Sequence, residues 1–110
     1  MSIYDKVPDD LKYLVEKPAT ETGLKNYTFE LLSQTEHSRG ICWVGVLRYK
    51  GAKIATVENQ GDGGSNRYQY GTPDAQKKIE QLAKRAYPKS YEPIDSLIGL
   101  LDVVSASNNG

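Results

Sequence analysis

The sequence predicts an α+β domain: an antiparallel meander of three to four strands, with a short N-terminal helix and two C-terminal helices packed on one face. Three observations carry this. Apolar residues recur at helical spacing near the start, at a period of 2 from position 25 to about 70, and at helical spacing again from Pro73. Strands and helices are therefore segregated along the chain, which favours an antiparallel sheet over a parallel one. A length of 110 residues suffices for one modest core and rules out two domains.

Pro8 in a first turn, Asp9 and Asp10 at a helix's positive end, and Leu11, Leu14 and Val15 at helical spacing read as a helix over 8–17, stopped by Pro18. The polar stretch 19–23 is a connection. Tyr27, Phe29 and Leu31 then alternate with Asn26, Thr28 and Glu30, the pattern of a half-buried strand. A polar turn over 35–40 leads into 41–49, nearly all β-formers and the candidate central strand. Its register stays open, because a slip of one residue exchanges the faces bearing Val44/Val46 and Trp43/Leu47. Lys50-Gly51 makes a tight hairpin, with Gly51 at positive φ, into a strand over 52–58. A Gly-rich loop over 59–65 and a short alternation over 66–70 follow. Thr72 as N-cap, Pro73 in the first position and Asp74 against the dipole start a helix whose Ala75, Ile79, Leu82, Ala83 and Ala86 share one face. From Pro93, residues Ile94, Leu97, Ile98, Leu101 and Val104 mark a closing helix, widened by Leu100 and Val103. The domain is expected over 1–104, with 105–110 a disordered tail.

Charge and cysteine usage narrow the function. Because 14 Lys+Arg balance 14 Asp+Glu, neither an acidic nucleic-acid mimic nor a polycationic coat describes the whole chain. One Cys and one His cannot close an internal disulfide or fill a four-ligand zinc site, so no metal and no cofactor is expected. The start lacks the basic and apolar regions of a secretory signal, and no run approaches the roughly 18 apolar residues of a membrane span. A cytoplasmic protein with no membrane association is the expectation. His37, beside Glu36 and Ser38 on a turn, reads as a solvated side chain, and Cys42, inside an apolar run, as an inert buried thiol. No catalytic residue is assigned and no enzyme activity is expected.

The most distinctive feature is the Gly-rich loop and the strand after it. Successive glycines either expose backbone N–H groups or carry the chain around a corner. The loop is neither a Walker loop nor a dinucleotide fingerprint, since no Gly-Lys-Ser/Thr follows and the Gly-x-Gly-x-x-Gly order is absent. Glu58, Asn59 and Asp62 are oxygen donors without EF-hand spacing. Eight Tyr against one Phe and one Trp suit surfaces that are half wet or transiently covered. Tyr68 and Tyr70 share one face of the short strand, Arg67 and Gln69 the other. A partner-contacting surface built from Asn59, Asp62, Gly63, Gly64, Asn66, Arg67, Tyr68 and Tyr70 is therefore expected.

The order Val57-Glu58-Asn59-Gln60-Gly61-Asp62-Gly63-Gly64, followed by small polar residues, resembles a pattern in small bacteriophage and mobile-element proteins. The resemblance covers residues 50–68 and carries no catalytic assignment. It implies a setting in which such proteins often inhibit host machinery by binding it, anti-CRISPR proteins included. The expectation is a protein that binds and modulates or inhibits a host protein, such as a defence-system component, in the bacterial cytoplasm.

The alternative is a small nucleic-acid-binding domain. Lys77, Lys78, Lys84 and Arg85 fall on one arc of the first C-terminal helix, flanked by Glu80, and Tyr rings could stack on bases. The order of helix, three strands and helix is similar to that of double-stranded-RNA-binding domains. Their Lys-Lys-x-Ala-Lys signature at the start of the last helix is not met, because Lys77-Lys78 lie several residues into the helix and are followed by Ile79. Four aligned cations imply weak, salt-sensitive affinity.

Overall fold

The computed structural model describes residues 3–38, 40–61 and 66–109, the side chains of 37 and 107–109 excepted. Among these residues four strands form one antiparallel sheet in the order β1-β2-β3-β4: β1 (Tyr27–His37), β2 (Gly40–Tyr49), β3 (Ala52–Asn59) and β4 (Arg67–Tyr70). Two helices follow, α1 (Pro73–Ala86) and α2 (Pro93–Asn109), and both pack on the same face of the sheet. The α+β meander is thus the architecture of the chain.

Strand pairing fixes the register that the sequence left open. Phe29 pairs with Leu47 and Leu31 with Gly45, while Ala55 and Val57 pair with the same two positions from the other side. These residues, with Trp43, face the helices. Phe29, Leu47, Ala55 and Val57 are buried in one cluster with Ile79, Leu82 and Ala83 of α1 and Leu97, Ile98 and Leu101 of α2. The opposite face surrounds Val44 and Val46 with Thr28, Glu30, Arg48 and Thr56, and Arg48 Nη2 lies 3.4 Å from Glu30 Oε1 across it. Gly45 matters by its lack of a side chain. The Phe29 ring occupies the space its Cβ would take and meets Trp43 edge-on, with centroids 5.8 Å apart at 86°.

The first C-terminal helix has the cap the sequence specifies: Thr72 Oγ1 accepts from the Ala75 N–H at 3.1 Å, with Pro73 opening the helix. Elsewhere the structure departs from expectation for local reasons. The segment expected as a helix over 8–17 forms only a 3-10 stretch, Asp9–Leu14, flanked by shorter ones at Tyr4–Lys6 and Leu24–Asn26. Tyr13 and Leu14 face solvent there, so Leu11 and Val15 alone reach the core, too little buried stripe to hold an α-helix. The turn expected over 35–40 is mostly strand, because its polar residues pair across the hairpin as far as His37 and Gly40. A bulge between Leu31 and Ser33 leaves Leu32 unpaired. At the next turn Lys50 joins Gly51 at positive φ, 50° and 88°, the paired geometry that matches strand twist. Cys42 is half-buried on the polar face of β2 rather than buried.

The helix α2 continues to Asn109 instead of ending at 104, and the Phe29 N–H donates to Ser105 Oγ at 3.3 Å, docking the last turns on the edge of β1. At the other end the N-terminal segment straps the end of α1. Ile3, Val7 and Leu24 are buried, the Ala19 N–H donates to the Ala86 carbonyl at 2.6 Å, and the Tyr87 hydroxyl donates to the Glu16 carbonyl at 2.9 Å. Burial, reinforced by Glu16 and Glu21, lifts the Tyr87 hydroxyl well above the usual tyrosine range, so it remains a donor.

Gly45→Ala is expected to cost about 1–3 kcal/mol in denaturant unfolding, as overpacking against the Phe29 ring does. Combining it with Phe29→Leu should recover part of that loss, a coupling that a double-mutant cycle measures. Strict additivity would show that the ring is not what the new methyl meets.

Candidate functional site

Where the outer half of the β1–β2 hairpin lies over α2, sheet and helix do not close. A cleft of about 340 Å³ remains between them. Strand alternation, carried across the bulge, puts Leu31 and Gln34 of β1 on the same face as Ile41 and Trp43 of β2, and these form the roof with Phe29. The floor is one stripe of α2: Asp95, Ile98, Gly99 and Asp102 recur at helical spacing. Open space surrounds Gly99, so a shallow notch separates the two carboxylates.

The two carboxylates differ in their surroundings. Asp95 terminates a chain of hydrogen bonds that begins in the loop. The Gly61 N–H donates to Asn59 Oδ1 at 2.7 Å, Asn59 Nδ2 to Asn66 Oδ1 at 2.9 Å, Asn66 Nδ2 to the Tyr68 hydroxyl at 3.3 Å, and that hydroxyl to Asp95 Oδ1. The Asn66 backbone also hydrogen-bonds the Asp95 carboxylate. Burial raises the Asp95 carboxyl above its ordinary range; the bonds from Tyr68 and Asn66 oppose this, and a hydrogen bond with Glu92 reinforces it. Burial first, then the bond to Asp95, lifts the Tyr68 hydroxyl far above the ordinary range, which keeps it protonated and donating.

Asp102 is half-buried and has no hydrogen-bond or ion-pair partner among the described residues. Burial alone raises its carboxyl above the ordinary range. No Lys or Arg among the described residues lines the cleft. A carboxylate without a partner among the described residues therefore shares the cleft with Trp43, and no described group offsets its lost hydration.

Of the residues the sequence proposed as contacts, Asn59, Asn66 and Tyr68 belong to the hydrogen-bond chain, and only Asn66 also borders the cleft. Gly61 adopts φ +77°, and a Cβ there would stand 2.6 Å from the Ile41 carbonyl oxygen; glycine lets the loop pass against β2. Asp62, Gly63 and Gly64 lie outside the described residues, as do Arg39 and the His37 side chain. Arg67 is exposed and pairs in register with Glu58 on the polar face. Tyr70 stacks on Tyr68 with centroids 6.1 Å apart, and its hydroxyl is buried without a hydrogen-bond partner among the described residues. Burial, then Glu80 and Asp95, push that hydroxyl up to about 12. Of the cationic arc, Lys78 and Arg85 line a separate cleft of about 460 Å³ with Tyr27 and Tyr49, whereas Lys77 and Lys84 are exposed and do not line it.

The cleft itself went unread in the sequence, although a signal existed. Asp95 and Asp102, seven residues apart, interrupt an otherwise apolar helix on one stripe. Among the described residues no group of three or more His, Cys, Asp or Glu could hold a metal ion, and no helix is long and apolar enough to cross a membrane. The chain matches no protein-family model, no curated protein and no solved structure.

Two outcomes are expected of variants. Tyr68→Phe removes the donor to a partly buried carboxylate and should cost about 1–3 kcal/mol. Asp102→Asn should do the reverse. The folded carboxyl binds its proton more tightly than the unfolded one, so native stability falls as pH rises from the unfolded value, about 3.9, to the raised folded value. Above that window the penalty is complete. Melting curves should therefore show Asp102→Asn a few degrees more stable than the native chain at pH 7, with the gain vanishing in acid; a lower melting temperature at pH 7 would contradict this reading.

Proposed function

We propose that this chain is a small protein-binding module that works by occupying the surface of a partner. Following the loop resemblance, it is a bacteriophage or mobile-element product that modulates or inhibits a host protein in the bacterial cytoplasm. One observation carries the binding role. Leu31, Leu32 and Ile41 are 41%, 57% and 44% exposed on a single hairpin, and Leu31 and Ile41 border the cleft. Large apolar side chains grouped around a concave site on a small domain mark an interaction surface. Leu32 is additionally the bulged residue, and bulges commonly re-aim a side chain where contact is made.

Binding rather than catalysis is favoured by the cleft's chemistry. It offers carboxylates, amides and apolar walls, and the Tyr68 hydroxyl bonded to Asp95 behind it is kept protonated instead of activated. A nucleic-acid role has one supporting observation: Lys78 and Arg85 share a cleft with Tyr27 and Tyr49, whose rings lie 4.9 Å apart. Two cations neutralise few phosphates, so that reading ranks second.

Affinity capture from bacterial lysate distinguishes the two. The native chain is expected to retain a host protein that Leu32→Lys loses and that a Lys78→Glu, Arg85→Glu double variant keeps. Retention by the Leu32 variant, or capture only of nucleic acid that the double variant loses, would overturn the protein-binding reading.

A further inference from the structure

We propose that the cleft between the β1–β2 hairpin and α2 receives an arginine side chain of the protein partner, with the guanidinium at Asp102 and the stem against Trp43. The inference rests on the protein-binding reading and names the chemistry that the partner presents.

Three features of the cleft converge on this occupant. Its volume, about 340 Å³, is at the small end of ligand sites and suits one long side chain better than a drug-sized molecule. Its walls are apolar and aromatic: Phe29, Leu31, Ile41 and Ile98 surround the half-buried Trp43. These would bury an aliphatic stem, and the indole face attracts a cation. Its ionisable groups are carboxyls alone among the described residues, with the neutral amides of Gln34 and Asn66 beside them. Asp102 has no partner among the described residues, whereas Asp95 is already bonded by Tyr68, the Asn66 backbone and Glu92.

A bare metal ion fits poorly, because the described residues hold no group of three or more His, Cys, Asp or Glu that could bind it and Asp95 is already engaged by Tyr68 and Asn66. A neutral ligand would leave Asp102 desolvated and unpaired, which costs more than leaving it half open to water. Between the two basic side chains the geometry prefers arginine. Its planar fork can stack on the indole and direct several N–H groups at Asp102 and the Gln34 amide oxygen together, whereas an ammonium is more strongly hydrated and gains less from the ring. Leu31 and Ile41 border the cleft and are exposed, so the arginine would come with a protein surface around it.

The chain's one Trp lines the cleft, which makes its fluorescence an unambiguous reporter. The probe is the capped tripeptide acetyl-Gly-Arg-Gly-amide, compared with its citrulline counterpart, which keeps the shape and loses the charge. The expected result is a saturable change in Trp43 emission with the arginine peptide alone, weakened roughly tenfold or more by Asp102→Asn. Circular dichroism and the melting curve show whether that variant is folded; since it removes an unpaired charge it should be at least as stable as the native chain, so a loss of binding cannot be a loss of fold. Equal response to both peptides, no response to either, or an Asp102→Asn variant that binds as the native chain does would overturn the inference. The outcomes separate it from the reading it rests on. Lysate capture that depends on Leu32 but survives Asp102→Asn sinks the arginine site alone, and a working arginine site without any captured host protein sinks the broader reading alone.

Discussion

The hydrogen bond from Tyr68 to Asp95 is the contact on which the site depends. The strand β4 is four residues long and, among the described residues, pairs with β3 alone, so its position relative to the helices needs a tie beyond the sheet. Tyr68 supplies one, reaching from the strand to the first turn of α2, and the Asn66 and Asn59 amides extend it back into the loop. Because α2 is rigid over its 17 residues, fixing Asp95 also fixes Asp102 two turns further on. At the far end Ser105 accepts from the Phe29 N–H, so the helix is tied to the sheet on both sides of the half-buried Asp102.

The roof of the cleft follows from Gly45. With no side chain there, the Phe29 ring lies down on β2 and turns its edge to Trp43, leaving space beyond the bulge that neither ring fills. That space holds Asp102, which no described residue pairs. Stability by itself would favour an amide or an aliphatic residue at position 102, and sites that retain such a conflict are commonly those that bind. The contrast with Asp95 sharpens the point. Both carboxyls are raised by burial, yet one is tied into a hydrogen-bond network and the other has no partner among the described residues.

Much of the architecture was legible because local signals and packing agree. Thr72, Pro73 and the Ile79, Leu82, Ala83, Ala86 stripe specify α1 without help from the rest of the chain, and alternation from Tyr27 to Leu31 identifies β1 and its buried face. Register was not legible, because Val44/Val46 and Trp43/Leu47 are equally apolar and only pairing with Phe29 and Val57 decides which set faces the helices. The N-terminal pattern of Leu11, Leu14 and Val15 looks helical, but Leu14 finds no core to enter. The loop residues posed a different problem. Short polar side chains such as Asn59 and Asn66 look alike in sequence whether they bond to a partner or to their own chain, and here both bond within the chain. The cleft needed three separated segments, β1, β2 and α2, and only an acid on an apolar stripe hinted at it.

The central claim is that Asp102 is held half-buried, without a partner among the described residues, in the free protein and is neutralised by a cation when the cleft is filled. Carbon-detected NMR of the Asp102 side-chain carboxyl, followed as a function of pH with and without the arginine tripeptide, measures this directly. The account predicts titration above the ordinary carboxylate range in the free protein and a shift to lower pH when the peptide is bound. An ordinary titration in the free protein, unmoved by the peptide, would contradict it.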